Sequence, residues 1–318
     1  MRSQLQVDVE KLASPGSRKV GSSGHTQAVV YLKERMKSAD LEPYLEHSYE
    51  LAYQVESTQY RNLAGVWPGL NPSLKPMLLV AHYDTCGDQP GADDNAAAIA
   101  IWFEVLEGLK RAKLQRDMIF LFPDAEEPPR FLSKHMGSTN FYEKQLKHSI
   151  HAGLVLDLVG HDIPLEGMEE LLFIIGAESH PTLAHVLTIA ELPDGLKNIA
   201  TLNRYLGDLS DHHVLRKHGE PYLFFTCGRW EHYHQSSDIP EHLNYAKMAR
   251  ISQYLVSVIE AIDIRDLSEK GADYDPLEME LYLLKRALGS YLDHHEIPMK
   301  NREDIQNFVL SWISQHQL

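Results

Sequence analysis

Two kinds of reactive side chain stand where a predicted strand gives way to a loop, in residues 77–106 (MLLVAHYDTCGDQPGADDNAAAIAIWFEVL). An apolar run predicts a buried strand ending near His82, and an Ala-rich run predicts a helix that begins after Asp94. Asp84 lies two residues beyond His82, so in an extended chain its carboxylate shares a face with the imidazole and could fix its tautomer. Imidazole and carboxylates around one loop are metal-ligand chemistry, with a helix N-cap as the alternative role of Asp94.

Carboxylates follow two further predicted strands. Glu126 and Glu127 lie just after the apolar run 117–124. Two adjacent carboxylates repel each other unless a cation or a proton offsets their charge. One could coordinate a cation while the other exchanges protons with water, and a solvated acidic loop is the alternative. Asp157 stands inside the apolar run 152–160, where a buried carboxylate requires a counter-charge, a metal or backbone donors.

Two histidines follow the last predicted strand, 221–227. His232 and His234 alternate in RWEHYHQSSD, so they need not face the same way, and a merely polar loop is the alternative. Together the strand ends supply His, Asp, Glu, Asp and His without a thiolate, a donor set that suits zinc or, less selectively, manganese or cobalt. Five ligands exceed the three that one catalytic zinc usually takes, whereas two ions bridged by one Asp would use all five.

The elements that must position these side chains are short apolar strands separated by helical patterns. Strands are predicted at 76–82, 117–124, 152–160, 170–177 and 221–227, and helices at 25–41, 95–113, 180–192, 209–218 and 241–263. Continuous apolar strands alternating with helices predict an α/β fold with a mixed, largely parallel sheet covered on both faces. In such sheets, binding groups gather outside the carboxyl ends of the strands.

The domain prediction is one α/β domain over residues 1–263 and a C-terminal helical extension over 264–318. The pattern changes after IRDLSEKGADYDP (264–276), where two amphipathic helices are predicted at about 277–293 and 302–316. These helices either pack on the same domain or form a dimerisation arm. In the second case the protein would be a homo-oligomer.

The composition argues against several classes of partner. The 318 residues include 45 acidic and 30 basic side chains, a formal charge of −15, whereas nucleic acid and anionic membranes favour basic surfaces. No apolar run approaches the ~18–20 residues that span a bilayer, and no signal peptide is recognised, so a cytoplasmic location is predicted. The two cysteines, Cys86 and Cys227, do not suggest a disulfide framework. Cys86 is interpreted as an inert small residue, with a place in the site as the alternative.

Several spaced segments resemble the M28 family of zinc exopeptidases, the family of aminopeptidases and glutaminyl cyclases. They are AHYD (81–84), PGADDNA (90–96), DAEE (124–127) with MGS (136–138), LDLVG (156–160), SDHHVLRKHGEP (210–221) and YHQSSD (233–238). They follow the family's order, and the start LASPGSRKVGSSGH is also similar. The resemblance implies a three-layer α/β/α sandwich of the zinc-exopeptidase, phosphorylase/hydrolase-like type.

Carried over by position, the resemblance implies two zinc ions per chain. His82 and Asp157 would hold one ion, Glu127 and His234 the other, and Asp94 would bridge them. His234 is preferred to its neighbour because it directly precedes QSSD, the end of the matching motif.

The same resemblance implies that Glu126 is the general base and that Asp84 orients His82. The expected reaction is hydrolysis of N-terminal residues from peptides that have a free amino terminus. The alternatives are a glutaminyl cyclase, for which Trp would stand directly before the last ligand in place of Tyr233, and a non-catalytic interaction protein. The segment 126–138 (EEPPRFLSKHMGS) is longer than the family's usual link, so substrate specificity does not transfer.

Overall fold

A computed structural model describes residues 2–14, 16–268 and 274–316. Within these ranges a nine-stranded sheet forms the centre, in the order β1-β3-β5-β4-β6-β9-β7-β8 with β2 beside β3. The strands are β1 (Glu42–Pro43), β2 (Glu50–Val55), β3 (Thr58–Trp67), β4 (Met77–Val80), β5 (Met118–Phe122), β6 (Ala152–Leu156), β7 (Leu171–Ile175), β8 (Lys197–Thr201) and β9 (Tyr222–Thr226).

Helices cover the sheet and extend beyond it. They are α1 (Gln4–Ala13), α2 (Ser23–Ser38), α3 (Ala98–Leu109), α4 (Gly137–Asn140), α5 (Pro181–Ile189), α6 (Asn203–Leu206), α7 (His212–Lys217), α8 (Tyr245–Asp263), α9 (Leu277–His294) and α10 (Arg302–His316). The predicted strands and helices are present, most of them shorter than predicted. The sequence interpretation missed α1, the hairpin of β2 and β3, and the edge strand β8.

Alternation along the central strands places a separate apolar cluster on each face of the sheet. Leu79 of β4 and Leu154 of β6 belong to one cluster, with helices α3 and α8. Their neighbours Leu78 and Val155 belong to the other, with α7. Because both faces of these strands are buried, their residues are apolar without interruption. The predicted α/β fold with a mixed sheet between helical layers is confirmed.

The strands that matter for the site run parallel to one another. β5 pairs with β4, β4 with β6, and β6 with β9, all in parallel. Antiparallel pairs join β3 to β5 and β9 to β7. Four adjacent strands therefore present their carboxyl ends at one edge of the sheet, which is where binding groups are expected.

The hairpin of β2 and β3 supports the loop that follows β5. The Asn62 side chain accepts a hydrogen bond from the Asp124 amide at 3.0 Å and donates to the Gly137 carbonyl at 2.9 Å. The Arg61 amide donates to the Asp124 carboxylate at 3.0 Å. These contacts tie the loop between β5 and α4 at both ends, although no carboxylate of the predicted metal set lies in the hairpin.

The C-terminal helices pack on the same core as the rest of the chain. Leu283 of α9 and Phe308 of α10 lie in the larger apolar cluster, and α9 contacts β8 and α5. Arg302 at the start of α10 forms an ion pair with the buried Glu280 of α9. Part of the predicted linker, residues 269–273, lies outside the described residues, and the domain boundary at 263 stays a prediction. No helix within the described ranges has the length and apolar character needed to cross a bilayer.

One buried histidine predicts an acid-dependent loss of stability. His151, at the start of β6, is 6% exposed, and burial lowers its pKa from 6.5 to about 4. As the pH falls from 6.5 towards 4, the unfolded chain takes up this proton before the folded one, so folding becomes less favourable. We expect His151→Gln to lose less of its free energy of unfolding over this interval than the wild type, in urea titrations.

The matched control for this prediction is His148→Gln, because His148 is an exposed histidine three residues away. It should follow the wild-type pH dependence. If the free energy of unfolding of His151→Gln and of the wild type fell equally with pH, His151 would not contribute to the acid-dependent loss of stability.

Candidate metal centre

The five predicted site residues that follow β4, β5 and β6 lie at the common edge of the sheet. His82 and Asp84 follow β4, Glu126 and Glu127 follow β5, and Asp157 follows β6 directly. The strand predicted over 152–160 ends at Leu156, because Leu158 adopts a left-handed backbone with φ of 54° and turns the chain away. Asp157 therefore lies at the first position of a loop and not inside the strand as predicted.

The carboxylate of Asp94 lies between two imidazoles. Its Oδ1 is 3.3 Å from His82 Nε2, and its Oδ2 is 3.2 Å from His234 Nε2. On one side, His82 Nε2 is also 3.6 Å from Asp157 Oδ1. On the other side, His234 Nε2 is 3.3 Å from Glu127 Oε2. The five predicted ligands thus converge as two groups that share Asp94.

Asp94 does not cap the following helix. The helix predicted from residue 95 begins at Ala98, without a side-chain cap. Asp94 and Asn95 have φ of −106° and −134°, outside helical values, within a wider turn over Ala92–Ala97. This turn directs both oxygens of Asp94 towards the histidines and leaves neither for capping.

The backbone around Asp94 is held by two groups that the sequence interpretation did not select. Asp238 accepts hydrogen bonds from the amides of Asp93 and Asp94, at 2.8 and 3.1 Å. The fully buried Arg18 donates to the carbonyl of Gly91 at 2.8 Å. Gly91 has φ of 64°, and a Cβ there would lie 2.3 Å from the Asp94 carbonyl oxygen, so only glycine fits.

The main-chain carbonyl of Asp84 orients His82, and its carboxylate holds the backbone of Glu126 and Glu127. The ring Nδ1 of His82 is 3.2 Å from the Asp84 carbonyl oxygen and 3.5 Å from its carboxylate. A proton on Nδ1 donated to this carbonyl leaves Nε2 with a free lone pair, facing Asp94 and Asp157. The carboxylate accepts from the amides of Glu126 and Glu127, each at 3.1 Å. Asp84 therefore positions both acidic side chains as well as the histidine.

Several polar atoms of the centre are buried without a hydrogen-bond partner. They are His82 Nε2, Glu126 Oε1, Asp157 Oδ1 and His234 Nε2. Such atoms are costly in a protein interior unless a ligand completes them. Their donor set is imidazole nitrogen and carboxylate oxygen, which is the ligand chemistry of zinc. The residues present therefore fit a bound divalent cation.

Burial and charge shift the proton affinities of these groups in the metal-free protein. Burial raises the pKa of Glu127 to about 8, and burial also raises that of Glu126, to which the charges of Glu127 and Asp157 add. Burial alone would lower the pKa of His234, but the nearby carboxylates of Asp94 and Glu127 raise it to about 10. The cluster holds extra protons that a dication would displace, so metal binding should release protons.

Two neighbours of the predicted ligands point elsewhere. The Asp93 carboxylate accepts from the Gly160 amide at 2.6 Å and contacts His161 Nδ1 at 2.6 Å. His232 Nδ1 contacts Ser237 Oγ at 2.8 Å, and its ring stacks on His242 at 4.3 Å. Each is engaged with another part of the fold, so neither takes part in the Asp94-centred contacts.

A cleft of about 320 Å³ opens onto the ligands. Besides the acidic groups and His234, its wall includes Pro128 and Phe131 of the long loop 126–138, together with the apolar side chains of Leu158 and Phe224. The site therefore combines a strongly acidic floor with apolar walls, and apolar walls with a few convergent polar groups are typical of small-molecule binding sites.

The family model described as Peptidase family M28 matches residues 62–259. The match covers more than half of the chain and includes all of the residues grouped around Asp94. The chain belongs to peptidase family M28.

Curated relatives match over parts of their length. The putative endoplasmic reticulum metallopeptidase 1-A of Caenorhabditis elegans is 30% identical over 217 residues, 66% of this chain and 23% of that protein. The uncharacterised protein YfbL of Escherichia coli K12 is 24% identical over 231 residues, 63% of this chain and 70% of YfbL. The chain thus spans less than a quarter of the worm relative's length.

Solved structures share the fold at low sequence identity. A Zn-dependent exopeptidase from Parabacteroides distasonis superposes with a TM-score of 0.63 at 17% identity, over 82% of this chain and 97% of that one. A glutaminyl cyclase from Fimbriiglobus ruber superposes with a TM-score of 0.62 at 20% identity, over 81% and 94%. Both kinds of enzyme therefore occur on this architecture, and the fold does not choose between them.

Proposed function

We propose that this chain is a zinc-dependent aminopeptidase that holds two ions. The observation that carries the proposal is the carboxylate of Asp94, whose two oxygens face two different histidines. His82 with Asp157 would hold one ion, and His234 with Glu127 the other. Manganese or cobalt could occupy the same oxygen and nitrogen ligands, less selectively than zinc.

Bound zinc polarises a carbonyl oxygen and lowers the pKa of water towards neutrality. The chain's own contribution to the chemistry is Glu126, which is 4% exposed and lies with Oε2 3.8 Å from His82 Nε2. Its amide is fixed by Asp84, so its carboxylate has a defined position. Burial favours the protonated form, which suits a group that accepts a proton from water and then gives it to the leaving amine.

The donor set of the cleft floor supports a substrate with a free amino terminus. A neutral terminal amine has a lone pair that a bound cation could accept, whereas an acylated nitrogen lacks a basic lone pair and is bulkier. The cleft also has room for only a short part of a peptide beyond the ligands. We therefore propose peptides with free N-termini as substrates. Nucleic acid is not an expected partner, and the cytoplasmic location and a homo-oligomer stay predictions.

Metal removal tests the proposed function. The purified chain should release arylamine from aminoacyl arylamides, lose this activity after dialysis against a chelator, and recover it when zinc is returned. Elemental analysis should give close to two equivalents of zinc in the active preparation. N-acetylated versions of the same substrates serve as matched controls and should not be cleaved, because they lack the basic terminal amine.

The alternative functions give different results in the same assay. No metal-dependent release from any amino acid would contradict an aminopeptidase. Cyclisation of a peptide with N-terminal Gln, without cleavage of any peptide bond, would instead indicate a glutaminyl cyclase. Tyr233, in place of the Trp expected of a cyclase directly before the last ligand, supports the peptidase.

A further inference from the structure

We propose that the thiol of Cys86 is an additional ligand of the ion held by Glu127 and His234. This inference rests on the proposed function, since it assigns a further residue to one of its two metal positions. Neither the carboxylate–imidazole set nor the family resemblance includes this residue.

The side chains of Cys86, Glu127 and His234 form a compact group of three ligand types. Their ligand atoms, a sulfur, a carboxylate oxygen and an imidazole nitrogen, all lie within 4.8 Å of one another. The Cys86 amide donates to Glu127 Oε1 at 3.0 Å, while Glu127 Oε2 is 3.3 Å from His234 Nε2. That nitrogen is buried and has no hydrogen-bond partner. The cysteine therefore belongs to a cluster that already points to a cation.

The loop around Cys86 is fixed on both sides. The hydroxyl of Thr85 accepts a hydrogen bond from the Arg18 amide at 2.9 Å. The Gly87 carbonyl accepts one from the Ser17 hydroxyl at 2.5 Å. Both contacts come from the segment before α2, which is distant in sequence. The backbone position of Cys86 is thus set by the fold, which lowers the ordering cost of coordination by its side chain.

A thiol coordinates zinc as a thiolate, so its proton passes to solvent when the metal–sulfur bond forms. Thiolate is a softer ligand than imidazole or carboxylate and favours zinc over manganese. The position formed by His82 and Asp157 has no cysteine, since the only other one, Cys227, is fully buried with its sulfur 3.9 Å from the Leu171 carbonyl. The two metal positions would therefore differ in selectivity, with the one at His234 favouring zinc over manganese.

Cobalt substitution tests the inference without an activity assay. A cobalt–thiolate bond produces a charge-transfer absorption in the near ultraviolet that nitrogen and oxygen ligands do not produce. We expect this band in the cobalt-loaded wild type and in Cys227→Ala, which removes the other thiol, and its loss in Cys86→Ala. Cys86→Ser provides a second variant that keeps the side-chain size and should also lack the band.

Zinc affinity gives an independent readout. In competition with a chelator, Cys86→Ala should weaken one of the two zinc sites by roughly tenfold or more, since loss of even an outer partner of a metal ligand has effects of that size. The other site should keep its affinity. Equal spectra and equal affinities for wild type and both Cys86 variants would overturn the inference while leaving the proposed function intact. A wild-type chain that binds neither zinc nor cobalt would overturn the proposed function itself.

Discussion

Replacing Glu126 with glutamine should lower kcat for aminoacyl arylamides by about 10²–10⁴-fold, the range that a positioned general base contributes. Glutamine has nearly the same shape but cannot accept and return the proton. Glu126 lies beside the ligands and keeps one oxygen, Oε1, without a hydrogen-bond partner, so its loss removes proton transfer and not a structural bond. Zinc content, KM and melting temperature should stay close to wild type.

The matched comparison is Glu127→Gln, which changes the adjacent carboxylate in the same way. Its Oε2 faces His234 and its Oε1 accepts from the Cys86 amide, so this variant should lose zinc at that position as well as activity. Activity of Glu126→Gln within a few-fold of wild type would exclude the general-base role. Binding to a partner that survived Glu126→Gln unchanged, in a chain without hydrolytic activity, would favour the interaction-protein alternative.

Replacing Arg18 with methionine should lower the free energy of unfolding by about 3–5 kcal/mol, the cost of disrupting a buried charged network. The guanidinium donates to five main-chain carbonyls, those of Leu12, Tyr83, Pro90, Gly91 and Asp94. Burial lowers the pKa of Arg18 only to about 10, so it stays charged at neutral pH. Methionine fills part of the space but donates to none of these carbonyls. Apart from bonds within helices and strands, only the carbonyl of Gly91 among the five also accepts from another amide of the described residues, that of Ala96.

Lys19→Met is the matched control, because Lys19 is the next residue and is exposed. It should change the free energy of unfolding by about 0.5 kcal/mol or less. Urea titrations of both variants give the difference directly, and zinc titration of the folded fraction should show weaker binding only for Arg18→Met, whose carbonyl partners flank the ligands. Equal stability of the two variants would mean that Arg18 does not organise the loop 83–94.

Much of the candidate site could be predicted because strand ends leave a local signal. Apolar runs mark β4, β5 and β6, and the polar residues directly after them, such as His82 and Glu127, then become candidates for one edge of the sheet. The same reasoning misplaced the end of β6 by four residues, because the left-handed turn at Leu158 has no apolar or polar signature. It also missed β8 (KNIAT), where buried polar residues interrupt the apolar pattern, and the hairpin of β2 and β3, many of whose residues are exposed or half-buried.

The supporting residues could not be predicted from local pattern. Arg18 stands in a polar Gly- and Ser-containing segment and would ordinarily be placed at the surface. Its burial follows from carbonyls that are mostly more than 60 residues away in the chain. The carboxylate of Asp238 likewise accepts from the backbone amides of Asp93 and Asp94, which are distant from it in the chain. In the sequence, Arg18 and Asp238 were notable only because they lie in segments that resemble the family.

The amino-acid sequence by itself determined which ligand chemistry is available, the order along the chain of the strands that carry these ligands, and the family. The tertiary structure decided which atoms meet: that Asp94 faces two histidines at once, His82 and His234, and that Cys86 lies beside one of the two groups. The physical reason is the sequence separation over which each feature is set. Periodicity of apolar residues is set by each strand or helix alone, whereas distances of about 3 Å between side chains depend on the register of parallel strands and on loops fixed by distant backbone.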